Sequence, residues 1–174
     1  TPPSRPTANA VTGQGEVNIY WDDAAEYARD VVTGYADFEG YKIYKSRDGG
    51  NTWGNPEDMI YDTDGIFAGW RPYQQYDLSA EEDSLHCVYS RDFDCPEELS
   101  RGHAINGQDP YFPWFSLGTD TGLESIRLDE PVVINGDTMR YMFKDENVTD
   151  GLEYTYSVVA YDMGLQTYVD EPTL

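Results

Sequence analysis

Hydrophobic and polar positions alternate along much of this chain, and the alternation predicts strands. From Gly15 to Trp21, residues Val17, Ile19 and Trp21 fall on one face and Asn18 and Tyr20 on the other, the pattern of a half-buried strand with Trp21 as its core plug. The pattern resumes over Phe38 to Ser46, where Tyr41, Ile43 and Tyr44 are flanked by Lys42 and Lys45. It stops at the turn Arg47-Asp48-Gly49-Gly50-Asn51, where glycine supplies positive φ at no steric cost. Toward the C-terminus, Leu152, Tyr154, Tyr156, Val158 and Ala160 recur with period two after a turn at Thr149-Asp150-Gly151, which marks their shared face as core. Arg140 to Phe143 reads as another short strand, joined to that one as an antiparallel hairpin through the polar residues Asp145-Glu146-Asn147. Thr7 to Val11 is expected to be a first edge strand behind a proline-rich lead-in, and Asp22 to Asp37 an acidic connection with one helical turn through Ala24 to Ala28.

The middle of the chain is less regular. Met59-Ile60-Tyr61 and Ile66-Phe67-Ala68-Gly69-Trp70 are apolar runs bracketing Asp62-Thr63-Asp64-Gly65. Ser79, with Glu82 three residues on, marks a helix start. Tyr111-Phe112-Pro113-Trp114-Phe115, Ile126-Arg127-Leu128 and Val132-Val133-Ile134 follow, the last ending in an Asn135-Gly136 turn.

This order of strands resembles a fibronectin type III domain. The residues that carry the likeness are Pro6-Thr7 before a short strand, Val17-x-Ile19-x-Trp21, Gly40-Tyr41-Lys42-Ile43-Tyr44, and the run Val148 to Ala160. In that family a Trp on the second strand packs the core and a Tyr early in the sixth makes a corner contact after a tight turn. Trp21 and Tyr154 stand at those positions, and Tyr41 is a third core marker. Val148 replaces the usual Leu, and Asp150-Gly151 the usual Pro-Gly turn. The resemblance implies an all-β, immunoglobulin-like antiparallel sandwich. Residues 1–50 would supply its first strands and 138–174 its closing strands, with 51–137 a large mixed insertion of loops, short strands and a short helix. A structureless loop of that length is improbable, so the insertion is expected to have its own structure and any local function. Asp37-Phe38-Glu39-Gly40-Tyr41 and Asn51-Thr52-Trp53-Gly54 also look like variants found in secreted, multi-domain prokaryotic surface proteins. The start at Thr1, without an initiator Met or an apolar leader, reads as that of a processed product or an excised piece.

Composition sharpens the functional side. Asp and Glu number 33 against 11 Lys and Arg, a net charge of −22, which argues against nucleic acid and anionic membrane surfaces as partners because both are bound through basic patches. No apolar run reaches the ~20 residues of a membrane helix. Such a charge also opposes compaction, so bound divalent cations or high ionic strength are expected to relieve it. Calcium takes carboxylate and carbonyl oxygens in tight turns, and Asp62 with Asp64, and Asp92 with Asp94, are the candidate ligands. Cys87 and Cys95 close a short loop and are expected to form a disulfide, which places the chain in an oxidising compartment. His86 and His103 beside those cysteines hold zinc-type ligands, but the Cys-x-x-Cys knuckle is missing and a disulfide would remove two of them.

Catalysis has little to rest on. The nucleophile elbow, the phosphate-binding glycine loop and the His-Glu-x-x-His motif are all missing, and two histidines are a thin supply of general bases. Trp70, Tyr73, Tyr76, Tyr111 and Trp114, interleaved with amides and acids, offer stacking faces for sugars, although covering the sandwich is the better use for such rings. Asn147-Val148-Thr149 matches the glycosylation acceptor pattern. The expected function is therefore a non-enzymatic, extracellular or cell-surface structural and adhesion module. It would act as a subunit or repeat of a surface assembly or filament, with calcium as stabiliser. Its partners would be further copies or other surface proteins, and Thr1 to Ala10 and Tyr168 to Leu174 are the segments expected to add to a neighbour's sheet edge. The alternative is a carbohydrate-binding accessory module with glycans as ligands.

Overall fold

Two antiparallel sheets face each other across a core built from both. The structure is a computed structural model and describes residues 3–29, 31, 36, 38–85 and 119–162. Among the described residues the strands are β1 (Ala8–Gly13), β2 (Glu16–Trp21), β3 (Phe38–Ser46), β4 (Met59–Tyr61), β5 (Phe67–Trp70), β6 (Gln74–Asp77), β7 (Arg127–Ile134), β8 (Asp137–Asp145) and β9 (Thr155–Asp162). A short helix, α1 (Ala80–Leu85), follows β6. One sheet has the order β1-β2-β8-β7, the other β6-β3-β9, and β4-β5 form a separate two-stranded ribbon. No helix among the described residues is long and apolar enough to cross a membrane.

The period-two pattern decides which side chains enter the core. Along β2 burial alternates strictly, and Val17, Ile19 and Trp21 are buried. They meet Phe38, Tyr41 and Ile43 of β3, Tyr141 of β8, and Val158 and Ala160 of β9. Trp21 is fully buried, stacked on Tyr141 (centroids 5.8 Å, planes 22° apart) and edge-on to Tyr41 (5.6 Å, 66°). Tyr41 also packs against Phe38 at 5.0 Å, so four rings from both sheets form one contact set. Aromatic pairs at these separations add about 0.5–1.5 kcal/mol each beyond the area they bury.

Turn chemistry joins these elements as the residues demand. The β7–β8 hairpin closes on Asn135 (φ 54°) and Gly136 (φ 92°), the pairing that a two-residue hairpin turn requires. After β3, Asp48 holds its loop together. Its carboxylate accepts the Thr52 N–H (2.9 Å), the Thr52 hydroxyl (2.8 Å) and the Ser46 hydroxyl (2.7 Å), and these donors hold its pKa below the ordinary value. The Ser79 cap forms as a reciprocal box, with Glu82 N–H on the Ser79 hydroxyl (3.2 Å) and Ser79 N–H on the Glu82 carboxylate (2.9 Å). The acidic connection holds a 3-10 turn, Ala24–Tyr27.

Two expectations about the C-terminal strands need correction. Arg140 to Phe143 and the strand after Thr149-Asp150-Gly151 do not form a hairpin: β8 pairs with β2 and β7, whereas β9 pairs with β3 in the opposite sheet. Residues 146–154 carry the chain from one sheet to the other. A period-two pattern reveals which face of a strand is apolar but not which strand lies beside it. Leu152 is also not core; it lies in that crossover, ahead of the first β9 residue, and is 62% exposed. Two strands within 51–137 belong to the sandwich itself, since β6 pairs with β3 and β7 with β8.

The approach of β3 to β6 is tight at Gly40, which pairs with Asp77, and on its other side the β3–β9 ladder shifts register between Phe38 and Gly40. A Cβ there would lie 2.8 Å from the Asp77 Cα and closer still to the Tyr76 carbonyl oxygen, whereas at Gly69 in β5 it would meet nothing within 4 Å. Gly40→Ala is therefore expected to lower the urea-unfolding free energy by about 1–3 kcal/mol, the range of an overpacked core. Gly69→Ala should stay within about 0.5 kcal/mol of the parent.

Candidate functional site

β3 puts a cation on its core-facing side. Tyr41, Ile43 and Lys45 share one phase of the strand, and the Lys45 side chain is only 5% exposed. Its partner is Asp145, the last residue of β8 in the other sheet, with Nζ 2.7 Å from Oδ2. The ammonium also donates to the Asn147 carbonyl (2.6 Å) and lies 4.9 Å and 4.7 Å from the Tyr73 and Tyr154 ring centroids. The Asp145 carboxylate accepts the Tyr156 hydroxyl (2.7 Å), the Tyr73 hydroxyl (3.0 Å) and the Asn147 N–H (2.9 Å). Burial by itself would raise the Asp145 pKa, but Lys45, Tyr156, Asn147 and Tyr73 together outweigh it and hold the carboxyl below its ordinary range. Burial, reinforced by that same carboxylate, pushes the Tyr156 phenol far above its usual value. Tyr154 completes the corner by accepting the Thr149 N–H on its hydroxyl (3.0 Å).

A second buried carboxylate, Asp77 at the end of β6, works in the same way. It accepts the Thr119 N–H (2.7 Å), the Thr121 N–H (2.9 Å), the Thr121 hydroxyl (2.8 Å) and the Tyr161 hydroxyl (3.2 Å). These bonds tie residues 119–121 to β6. Burial raises the Asp77 pKa, but the threonine donors and Gln75 bring it below the ordinary value. In the core, the Glu26 carboxylate accepts the Tyr41 hydroxyl at 2.9 Å. Asp77 and Asp145 each hold donors on both oxygens, an arrangement that anchors chain segments and leaves neither carboxylate poised to accept a substrate proton.

The exposed chemistry lies on the β4–β5 ribbon. Tyr61 packs edge-on to Phe67 (6.2 Å, 76°), and Phe67 edge-on to Trp70 (5.6 Å, 68°). Tyr61 is 53% exposed, Ile66 64% and Phe67 45%, so the ribbon carries an apolar surface into solvent. Its turn is made by Asp62, whose carboxylate accepts the Asp64 and Ile66 N–H groups (2.9 and 2.8 Å). Asp62 Oδ1 thus forms the turn, and among the described residues no three His, Cys, Asp or Glu side chains converge.

One concave feature of about 220 Å³ opens where β7 bulges from β8 between Arg127 and Val132, with Asp23, Arg127, Asp129 and Arg140 in its wall. Its cations have acidic partners, Arg140 Nε on Asp23 (3.1 Å) and Arg127 Nε facing Glu124 (3.8 Å), so the cavity offers no surplus positive charge to an anion.

Of the aromatic residues considered for sugar binding, the three described ones make different contacts. Trp70 is on the exposed ribbon, whereas Tyr73 serves the Asp145 cluster and Tyr76 packs on Phe143 (6.3 Å) at the edge of the core. Tyr61 and Phe67, which complete the exposed ladder, escape sequence reasoning because short apolar runs look alike whether buried or displayed. Asn147 is exposed, with its backbone engaged on both sides. Cys87 and Cys95, His86 and His103, Asp92 and Asp94, and Tyr111 and Trp114 lie outside the described residues, as do Thr1 and the segment Tyr168 to Leu174. Comparison with family models, curated proteins and solved structures finds no match to this chain.

Breaking the buried ion pair from one side strands a charge. Lys45→Met is expected to cost about 3–5 kcal/mol at neutral pH, and adding Asp145→Leu should restore much of the loss. Because the Asp145 pKa is depressed in the folded state, its contribution is complete above about pH 4, the unfolded value, and fades as pH falls through the lower folded value. The difference between parent and Lys45→Met, followed by denaturant titration from pH 7 down to about pH 2, should shrink over that window. A difference independent of pH would mean that the pair does not hold Asp145 ionised.

Proposed function

We propose that this chain is a non-enzymatic, extracellular structural or adhesion module, a subunit or repeat of a surface assembly, built on a fibronectin type III-like sandwich. The observation that carries this reading is the β4–β5 ribbon. A two-stranded ribbon is marginal alone, yet this one displays Tyr61, Ile66 and Phe67 to solvent and includes no charged residue in either strand, in a chain of net charge −22. Contact with another protein covers such a surface. The saturated Asp77 and Asp145 clusters support a scaffold role, since their donors are spent on holding the fold. The order β1-β2-β8-β7 against β6-β3-β9, with Trp21 in the core and Tyr154 bonded across its corner, supports the family likeness.

Carbohydrate binding is the second reading, and the exposed rings favour it chemically. Their geometry does not: planes 76° and 68° apart give successive sugar units no shared flat platform, whereas edge-to-face rings leave notches suited to inserted side chains. Calcium enters the assembly reading by bridging acidic surfaces that otherwise repel.

Size-exclusion chromatography with light scattering tests the assembly reading. Self-association should increase as NaCl rises from about 0.05 to 0.5 M, because screening shortens the reach of the negative field. The Ile66→Ser/Phe67→Ser double variant should shift toward smaller species with an unchanged fold. Calcium added at matched ionic strength should increase association beyond NaCl alone if carboxylates are bridged. A monomer under every condition, together with a neutral polysaccharide affinity abolished by Trp70→Ala, would replace this reading with the carbohydrate one.

A further inference from the structure

The two edges of the four-stranded sheet are built differently. β7 carries Asp129, Glu130 and Pro131 and shifts register against β8 between Arg127 and Val132, so charge, proline and a bulge all guard it against another strand. β1 reads Ala-Asn-Ala-Val-Thr-Gly. It has no charge and no proline, and it pairs with β2 in unbroken register from Ala8 opposite Trp21 to Gly13 opposite Glu16. In a chain with 25% charged residues, a six-residue edge without one is an unguarded edge. All of β1 except Asn9 is exposed, and among the described residues it pairs on one side only. Asn9 is itself held by the hairpin tip, its side-chain oxygen accepting from Asn135 Nδ2 at 3.0 Å, which steadies β1 from the β7–β8 side.

We propose that β1 is a self-association edge, pairing antiparallel with β1 of a second copy so that one sheet runs through both. The inference rests on the assembly reading and names its partner and surface. Antiparallel partners across a two-fold axis normal to the sheet must point to the same face, so the axis passes through a residue that meets its own copy. Centred on Ala10, Ala8 faces Thr12 and Asn9 faces Val11. Centred on Val11, Val11 meets Val11, Ala10 faces Thr12 and Asn9 faces Gly13. Neither register sets charge against charge, so two strongly acidic molecules can approach along this line. A basic partner strand has nothing to recognise there, because β1 offers no carboxylate.

Backbone geometry supplies the test with its own control. Alternate residues of a strand send N–H and C=O to opposite edges, so of Ala10 and Val11 one faces β2 and the other faces outward. Ala10→Pro, Val11→Pro and the parent are compared by light scattering at about 0.5 M NaCl, where the Debye length is only a few ångströms, with melting temperature measured in parallel. The parent should contain dimer. The proline that removes an outward N–H should weaken dimerisation at least ~10-fold with little change in melting temperature, and its neighbour should lower the melting temperature. Val11→Glu, at a side chain already 44% exposed, gives a second route by placing like charges near the two-fold. Dimerisation unchanged in both the outward proline variant and Val11→Glu overturns the β1 assignment. If Ile66→Ser/Phe67→Ser then abolishes it, the assembly reading survives through the ribbon. A parent that stays monomeric at high protein and salt overturns both.

Discussion

Lys45 and Asp145 hold the two sheets at one end of the sandwich. One comes from the middle of one sheet, the other from the end of a strand in the opposite sheet, and both side chains are almost completely buried. Taking two ions out of water costs several kcal/mol apiece, a cost offset only when geometry and hydrogen bonding are nearly complete. Here they are: the carboxylate receives Lys45, Tyr73, Tyr156 and the Asn147 N–H, and the ammonium has Asn147 O and two aromatic rings. Such a pair tolerates few alternatives, because a slip of either strand by one residue would leave an unpaired charge in the core. The crossover from β8 to β9, the seating of Tyr73 ahead of β6 and the Tyr154 corner all follow from this fixed point.

The same economy governs the other acids that go inside. Asp77 fastens residues 119–121 to β6, and Glu26 receives Tyr41 in the core, so these buried carboxylates carry tyrosine or threonine donors. Glu39 and Asp83 are buried as well, whereas most other acids among the described residues reach solvent, where their mutual repulsion acts on the molecule as a whole and is weakened by salt. Fold specificity and solution behaviour therefore rest on different members of one residue class. The acidic excess says much about the second and little about the first.

Strands β2, β3 and β9 were legible because alternation reports burial directly: Val17, Ile19 and Trp21 are core, as are Tyr41, Ile43, Val158 and Ala160. The Ser79 box and the Asn135-Gly136 turn were legible because their chemistry is local. Pairing was not. Nothing in Arg140 to Phe143 says that its neighbours are β2 and β7, since register and partner are set by contacts far apart in sequence. The buried pair left one usable trace, a lysine in phase with Tyr41 and Ile43, which asks for an opposite charge without saying where. For Asp62 one signal covers two uses: an Asp-x-Asp-Gly turn suits calcium and equally suits a hairpin whose first Asp bonds the amides that follow, and those amide bonds are present on one of its oxygens.

Contact between such molecules is constrained by where charge is missing. A surface crowded with carboxylates meets its like only across screening ions or along segments that carry none. β1, β4 and β5 are such segments, and all three are exposed in large part. They differ in what they offer: β1 has backbone groups and small side chains suited to strand addition, whereas β4 and β5 have rings set edge to face. An edge paired through a two-fold closes on itself and stops at two copies. The ribbon is a separate sheet from the one that β1 edges, so such a pairing would not use its strands. A subunit with one self-closing contact and a second, separate apolar contact can join pairs into longer arrays, whereas either contact alone gives a dimer or a simple adhesion.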